Sequence, residues 1–306
     1  MGCFHLTLKR EISLLQRKSY QRTGPIRCVL WRPWLGLFLL FPFAVAGHEA
    51  IQEQIVALTK RIEQDPTNAE LYLKRGELHR VNRQWDAALG DYNRAAQIDP
   101  GLDTVDLCRG MTLLEAGRLQ RARFALERFL VNHPNDVEAL VARARVLVKL
   151  GEPLAAAEDF TRAVAQQPSP RPELYLERAQ ALVAEGGEHI DAALRGLDAG
   201  IEKLGPLVTL QLYAIDLELL RKRYDAALVR LGQIEIQSSR KEVWLAHRGE
   251  ILEQAGRSGE ARAAFTSALS AIEDLPEYRR KNRSMQELET RLRSELKRLS
   301  PTSQVH

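Results

Sequence analysis

Cysteine is scarce in this chain of 306 residues: there are three, Cys3 and Cys28 near the start and Cys108 alone further on. A lone thiol excludes an intramolecular disulfide beyond residue 46. A long helical array needs no such staple in a reducing or an oxidising compartment, so cysteine usage leaves the compartment open. Histidine is also sparse, with seven residues and neither a His-Glu-x-x-His nor a Cys-x-x-Cys spacing, so a zinc site has no support. No glycine-rich phosphate loop follows a strand, and no serine sits in a Gly-x-Ser-x-Gly elbow. Carboxylates are plentiful, but none forms an isolated pair against an apolar wall of the kind acid/base catalysis uses. His247 and Glu250, three residues apart, read as a solvated pair. A non-enzyme without metal or cofactor is therefore expected.

Long apolar runs are equally few. One stands out, Trp34 to Gly47 (WLGLFLLFPFAVAG), 14 residues without a charge, preceded by Arg27 and Arg32. A membrane span needs about 20 apolar residues, whereas this length suits the apolar region of a secretory signal peptide. Ala44 and Ala46 supply the small-x-small pattern, which predicts cleavage after Ala46. An uncleaved N-terminal anchor is the alternative, and a buried helix the third reading. In the first two the body is exported, periplasmic or secreted, or held at the periplasmic face of an inner membrane. Met1-Gly2-Cys3 carries no lipidation signal, since Leu6 stands where myristoylation favours Ser or Thr.

The formal net charge of +4 points toward polyanions only until it is divided along the chain. Residues 1–46 hold seven basic residues against Glu11, leaving 37 basic and 39 acidic residues in the remainder. The basicity belongs to the leader, so no nucleic-acid partner is expected. The run Arg279, Arg280, Lys281, Arg283 is followed by Glu287, Glu289 and Glu295 and reads as a solvated face.

What is abundant is repetition. Ala69 to Pro170 is one 34-residue pattern written three times without a gap: AELYLKRGELHRVNRQWDAALGDYNRAAQIDPGL, DTVDLCRGMTLLEAGRLQRARFALERFLVNHPND, VEALVARARVLVKLGEPLAAAEDFTRAVAQQPSP. Gly76, Gly110 and Ala144 share one column, Ala88, Ala122 and Ala156 a second, Tyr92, Leu126 and Phe160 a third, and Pro100, Pro134 and Pro168 a fourth. Each copy holds two helix-length segments, in the first Ala69 to Asn82 and Trp85 to Ile98. Small residues mark close helix crossings, so leucine is expected to strain position 122 more than position 157, which lies outside the column. The pattern continues more weakly, with Tyr175, Ala179, Ala193 and Leu197 in a fourth copy whose turn is lengthened around Gly186-Gly187. Ile215 replaces a small residue in the fifth, and Gly249, Ala261 and Phe265 return in the sixth. Ala50 to Gln64, with Ile51, Ile55, Leu58 and Ile62 on one stripe, reads as the second helix of an incomplete repeat that covers the array's end. Pro276 to Leu299 reads as one long final helix with Met285, Leu288, Leu292, Leu296 and Leu299 on a narrow stripe.

This pattern resembles the tetratricopeptide repeat, a helix-turn-helix unit of 34 residues. Tyr72, Gly76, Ala88, Tyr92, Ala95 and Pro100 match it within one copy. Asp106 and Phe129 depart from it, so local adjustment is expected in the second copy. The resemblance implies an all-α fold, a right-handed superhelical solenoid of about six helix pairs with capping helices at both ends. The expected layout is a leader at 1–46, a capping helix at 47–68, repeats at 69–102, 103–136, 137–170, 171–207, 208–241 and 242–275, and a C-terminal cap at 276–306.

In that family the first helices line a concave groove in which peptides or partner helices lie. The resemblance therefore implies a protein-binding scaffold for a protein or peptide of unspecified identity. Its lining here would include Leu73, Glu77, Leu107, Met111, Leu114, Val141, Arg145, Val148, Leu176, Gln180 and Val183, with Cys108 and Leu212 beside them. The competing reading is that some of these apolar residues are core between adjacent helices. The positions at which the family's chaperone-tail binders carry Lys, Asn and Arg read Leu73, Glu77, Cys108, Glu138 and Ala142, which implies a different ligand. A homo-oligomer at the inner-membrane face, joined through the last helix or by end-to-end stacking, is the alternative, and an enzyme with its site in the groove the last, since the lining lacks a convergent polar cluster.

Overall fold

The structure, a computed structural model, describes residues 43–300. The basic leader and most of the apolar run lie outside the described residues. Among those described there are fifteen α-helices and one 3-10 turn, with no strand. In chain order they are α1 (Phe43–Gln64), α2 (Ala69–Val81), α3 (Trp85–Ile98), α4 (Thr104–Glu115), α5 (Leu119–Asn132), α6 (Val137–Leu150), α7 (Pro153–Ala165) and α8 (Pro172–Glu185). The 3-10 turn Gly187–His189 follows, then α9 (Ile190–Leu204), α10 (Val208–Leu220), α11 (Tyr224–Gln237), α12 (Lys241–Gln254), α13 (Ser258–Glu273), α14 (Glu277–Arg280) and α15 (Arg283–Arg298). No described helix is long and apolar enough to cross a membrane. The described helices form two compact units, one of residues 43–170 and 180–189, the other of 171–179 and 190–300.

In the first unit α2 packs on α3, α4 on α5 and α6 on α7, while α1 lies against α2 and α4 against both α2 and α6. The glycine column explains how closely the paired helices approach. A Cβ added at Gly76 would stand 2.5 Å from Tyr92 Cε1, and one at Gly110 2.5 Å from Leu126 Cγ. Only a residue without a side chain admits such packing. Ala88, Ala122, Ala156, Tyr92, Leu126 and Phe160 are fully buried, and each of the three large side chains contributes about 1.5–3 kcal/mol. Ala157 is buried too, at 4% exposure against 0% for Ala122, so leucine is expected to strain both positions. Position 157 lies outside the crossing column but is close to fully enclosed.

Two bidentate ion pairs tie first to second helices within this unit. Arg75 Nε and Nη2 donate to Asp91 at 2.8 and 2.7 Å, and Arg143 Nε and Nη2 donate to Asp159 at 2.7 and 2.7 Å. In the second repeat the partner is displaced, because Ala125 occupies the acidic column. There Asp106 is buried between Arg109 at 2.6 Å and Arg128 at 2.8 Å, and Phe129 stacks on His133 with ring centroids 4.5 Å apart. The adjustment expected from Asp106 and Phe129 thus takes the form of a charge cluster and a ring stack.

The turn between paired helices recurs in left-handed backbone. Gly117 and Gly151 adopt φ of 73° and 82°, and Arg83 takes the same position at 57°. Glycine carries no steric penalty there, whereas Arg83 adopts the same backbone at a cost of about 1–2 kcal/mol.

The second unit begins with the first half of α8. Tyr175 packs over Gly200, where an added Cβ would meet its ring at 2.8 Å. Ile215 is fully buried with Leu231, its partner in register, in a core that also holds Ala246, Phe265 and Met285. The C-terminal segment is not one long helix. It breaks between α14 and α15, where the Asn282 side chain accepts a hydrogen bond from the Ser284 amide at 3.0 Å and starts α15 afresh. The apolar stripe survives, with Met285 and Leu292 buried against α13.

Candidate functional site

The expected lining positions on the first helices of the first unit differ in exposure. Leu73 and Glu77 of α2 are half-buried, as are Leu107, Met111 and Leu114 of α4. On α6, Arg145 and Val148 are exposed, the valine at 43%. Val141 and Val183 are each only 3% exposed and belong to the core, so they are removed from the expected lining. Both follow helical spacing that serves a neighbouring helix as readily as a groove, and periodicity alone does not separate the two. Gln180 is exposed in the half of α8 that belongs to the first unit, whereas half-buried Leu176 falls in the half assigned to the second.

Only part of the expected lining gathers around a cavity. A hollow of about 580 Å³ is lined by Gln54, Ala57, Leu58 and Arg61 of α1, Leu73, Lys74, Glu77 and Leu78 of α2, and Cys108 of α4. Leu107, Met111, Leu114 and Val148 do not line it. The expected lining ran on into the following repeats, with the segment Ala50 to Gln64 expected only to cover the array's end, whereas four residues of α1 line the hollow. The missed signal lay in α1 itself: its last two turns carry Ala57 and Leu58 in the position of a preceding second helix, next to the first helix of the following repeat.

The floor of the hollow is a satisfied polar cluster. Glu77 accepts hydrogen bonds from Tyr92 Oη at 2.5 Å and Arg80 Nη2 at 2.9 Å, while Arg80 also reaches Glu115 at 2.6 Å. Burial acts to raise the Glu77 carboxyl, but the bonds from Arg80 and Tyr92 outweigh it and hold the group below the ordinary carboxylate range. Burial and the Glu77 charge together push the Cys108 thiol up to about 12. The unfolded thiol loses its proton near pH 8.5, so the folded chain holds this proton over the interval between the two values. That contribution to stability is complete below the lower value and is lost as pH rises toward the upper. Thiolate is the reacting form, so in a Cys3→Ser, Cys28→Ser chain Cys108 is expected to react with iodoacetamide at pH 8.5 at least ~100-fold more slowly folded than in urea. Comparable rates would show that the thiol is not held protonated beside Glu77.

The rim is cationic. Lys74 pairs with Glu70 at 3.1 Å in an exposed setting, and Arg61 makes no side-chain hydrogen bond or ion pair among the described residues. No group of three His, Cys, Asp or Glu among the described residues is placed to hold a metal ion.

Comparison with known proteins accords with this architecture. Residues 55–103 and 109–172 match the sequence model of the tetratricopeptide repeat. The chain is similar in fold to YrrB, whose structure is described as a TPR protein with an unusual peptide-binding site. The TM-score is 0.50 at 23% identity, over 58% of this chain and 91% of that one. It is similar also to Pseudomonas aeruginosa PilF, with a TM-score of 0.50 at 20% identity, over 64% of this chain and 87% of that one. No curated protein matches the chain. The 34-residue columns, the paired helices crossing at Gly76 and Gly110 and the matched segments agree, so residues 55–103 and 109–172 of this chain carry tetratricopeptide repeats.

Proposed function

We propose that this chain is a non-catalytic adaptor that holds a segment of a partner protein against the first helices of its N-terminal unit, and that it works after export. The observation that carries the reading is the cavity of about 580 Å³ among α1, α2 and α4, which is of ligand-pocket size and lined mainly by apolar side chains. Leu107, Met111 and Leu114 continue half-buried along α4, and exposed Val148 follows on α6. The peptide-binding site named for YrrB supports the same use of the fold. Export rests on the uncharged run from Trp34 to Gly47 and the Ala44, Ala46 pair.

The test is capture of partners by the full chain, compared with the variant Met111→Glu, Val148→Glu. Both positions reach solvent, so the charges stay hydrated and the helices should persist. A folded variant that has lost its partners is the expected result. Retention of every partner with unchanged helicity would remove the α4/α6 face from the site, and unfolding would make these side chains core.

Self-association is the second reading. Phe124 and Val131 on α5 and Val229 and Ile236 on α11 occupy the same two outward positions of their repeats, and all four are exposed. A mass that stays monomeric across concentration in light scattering removes it.

A further inference from the structure

The lining of the α1/α2/α4 cavity carries two exposed cations, Arg61 and Lys74. Its apolar wall of Ala57, Leu58, Leu73 and Leu78 suits a bulky aliphatic or aromatic side chain, and three cations surround it: Arg61 and Lys74 at the mouth and Arg80 behind Glu77. The one carboxylate in the lining is committed, since Glu77 already accepts from Arg80 and Tyr92 and lies beside Cys108. A basic group entering the cavity would have to displace Arg80 from Glu77 and would meet Arg61 and Lys74 as like charges. An acidic group meets the opposite situation. Arg61 has no partner among the described residues, and the exposed Lys74 to Glu70 pair holds Lys74 only weakly.

Building on the adaptor reading, we propose that the cavity receives a peptide segment presenting a bulky apolar residue with aspartate or glutamate beside it. The apolar side chain fills the space between α1 and α2, and the carboxylate meets Arg61 and Lys74. The wall supplies affinity and the rim decides which apolar segments are accepted. Arg61 acts from α1, so this segment forms half of the recognition surface as well as covering the end of the repeats.

The experiment uses the full chain and fluorescence anisotropy with three labelled peptides: fluorescein-Gly-Ala-Leu-Leu-Asp-Glu-Ala-amide, its twin with Asn-Gln replacing Asp-Glu, and that twin with a free terminal carboxylate. The acidic amide is expected to bind about fivefold tighter than its neutral twin, with the advantage shrinking as salt rises. Arg61→Glu should erase or invert that preference, and Arg61→Lys should keep it. Arg61 is exposed on α1, so both variants should retain their circular dichroism. Three results overturn the proposal: equal affinity for the acidic and neutral amides, an unchanged preference in folded Arg61→Glu, or a free-carboxylate twin that matches the acidic amide. Equal binding that disappears in Leu73→Glu sinks the charge selection while leaving the groove in place. Binding of none of the peptides also overturns it, while capture of partners by the unaltered full chain judges the adaptor reading separately.

Discussion

Asp159→Ala is expected to be among the most damaging single changes in the chain, lowering stability by roughly 3 kcal/mol. Asp159 has a side chain only 5% exposed and accepts both hydrogen bonds of a bidentate contact from Arg143. The cost comes from what remains. Removing the carboxylate leaves the Arg143 guanidinium, itself 20% exposed, among buried groups of α6 and α7 without its counter-charge. A guanidinium cannot discard its proton to escape, and Arg143 is held more firmly protonated than usual through its Asp159 bonds. Replacing both residues, Arg143→Met with Asp159→Leu, removes the stranded charge and should recover much of the loss, since a buried pair stabilises little relative to a well-packed apolar pair. Urea unfolding followed by circular dichroism measures all three chains. A single mutant within about 0.5 kcal/mol of the parent would mean that water reaches Arg143 freely.

The second large effect is a contrast between two glycines of the same repeat. Gly76→Ala places a Cβ 2.5 and 2.9 Å from Tyr92 Cε1 and Cδ1. Tyr92 cannot yield, because its ring is fully buried and its hydroxyl is bonded to Glu77. Overpacking of this kind costs about 1–3 kcal/mol and should spread to the neighbouring pairs, since each repeat is stabilised by the next. Gly90→Ala meets nothing within 4 Å on the exposed side of α3. There the better helix former should add about 0.5–1 kcal/mol. The two changes are chemically identical and opposite in expected sign, so equal shifts in unfolding midpoint would refute the close crossing of α2 and α3.

Several features needed no coordinates. The columns headed by Gly76, Ala88 and Tyr92 are visible because a helix crossing repeated every 34 residues imposes the same steric demand each time. That demand fixes residue size at fixed spacing, which a sequence records directly. The tetratricopeptide pattern, the all-α fold and the helix pairs follow from it. The break before α15 was also in principle legible, since Asn282 is a good helix-starting residue, but the long apolar stripe outweighed it.

Tertiary structure alone decided which apolar residues are lining and which are core. Val141 and Val148 lie seven residues apart on α6 and carry the same side chain, yet one is buried and the other is open to water. Helical periodicity gives both the same face to within about 20°. The outcome depends on how far neighbouring helices extend over that face, which is a property of packing between repeats. The cavity has the same origin: it is assembled from α1, α2 and α4, three helices whose side chains meet only once the unit is stacked, and Arg61 becomes a rim residue only when α1 lies against α2.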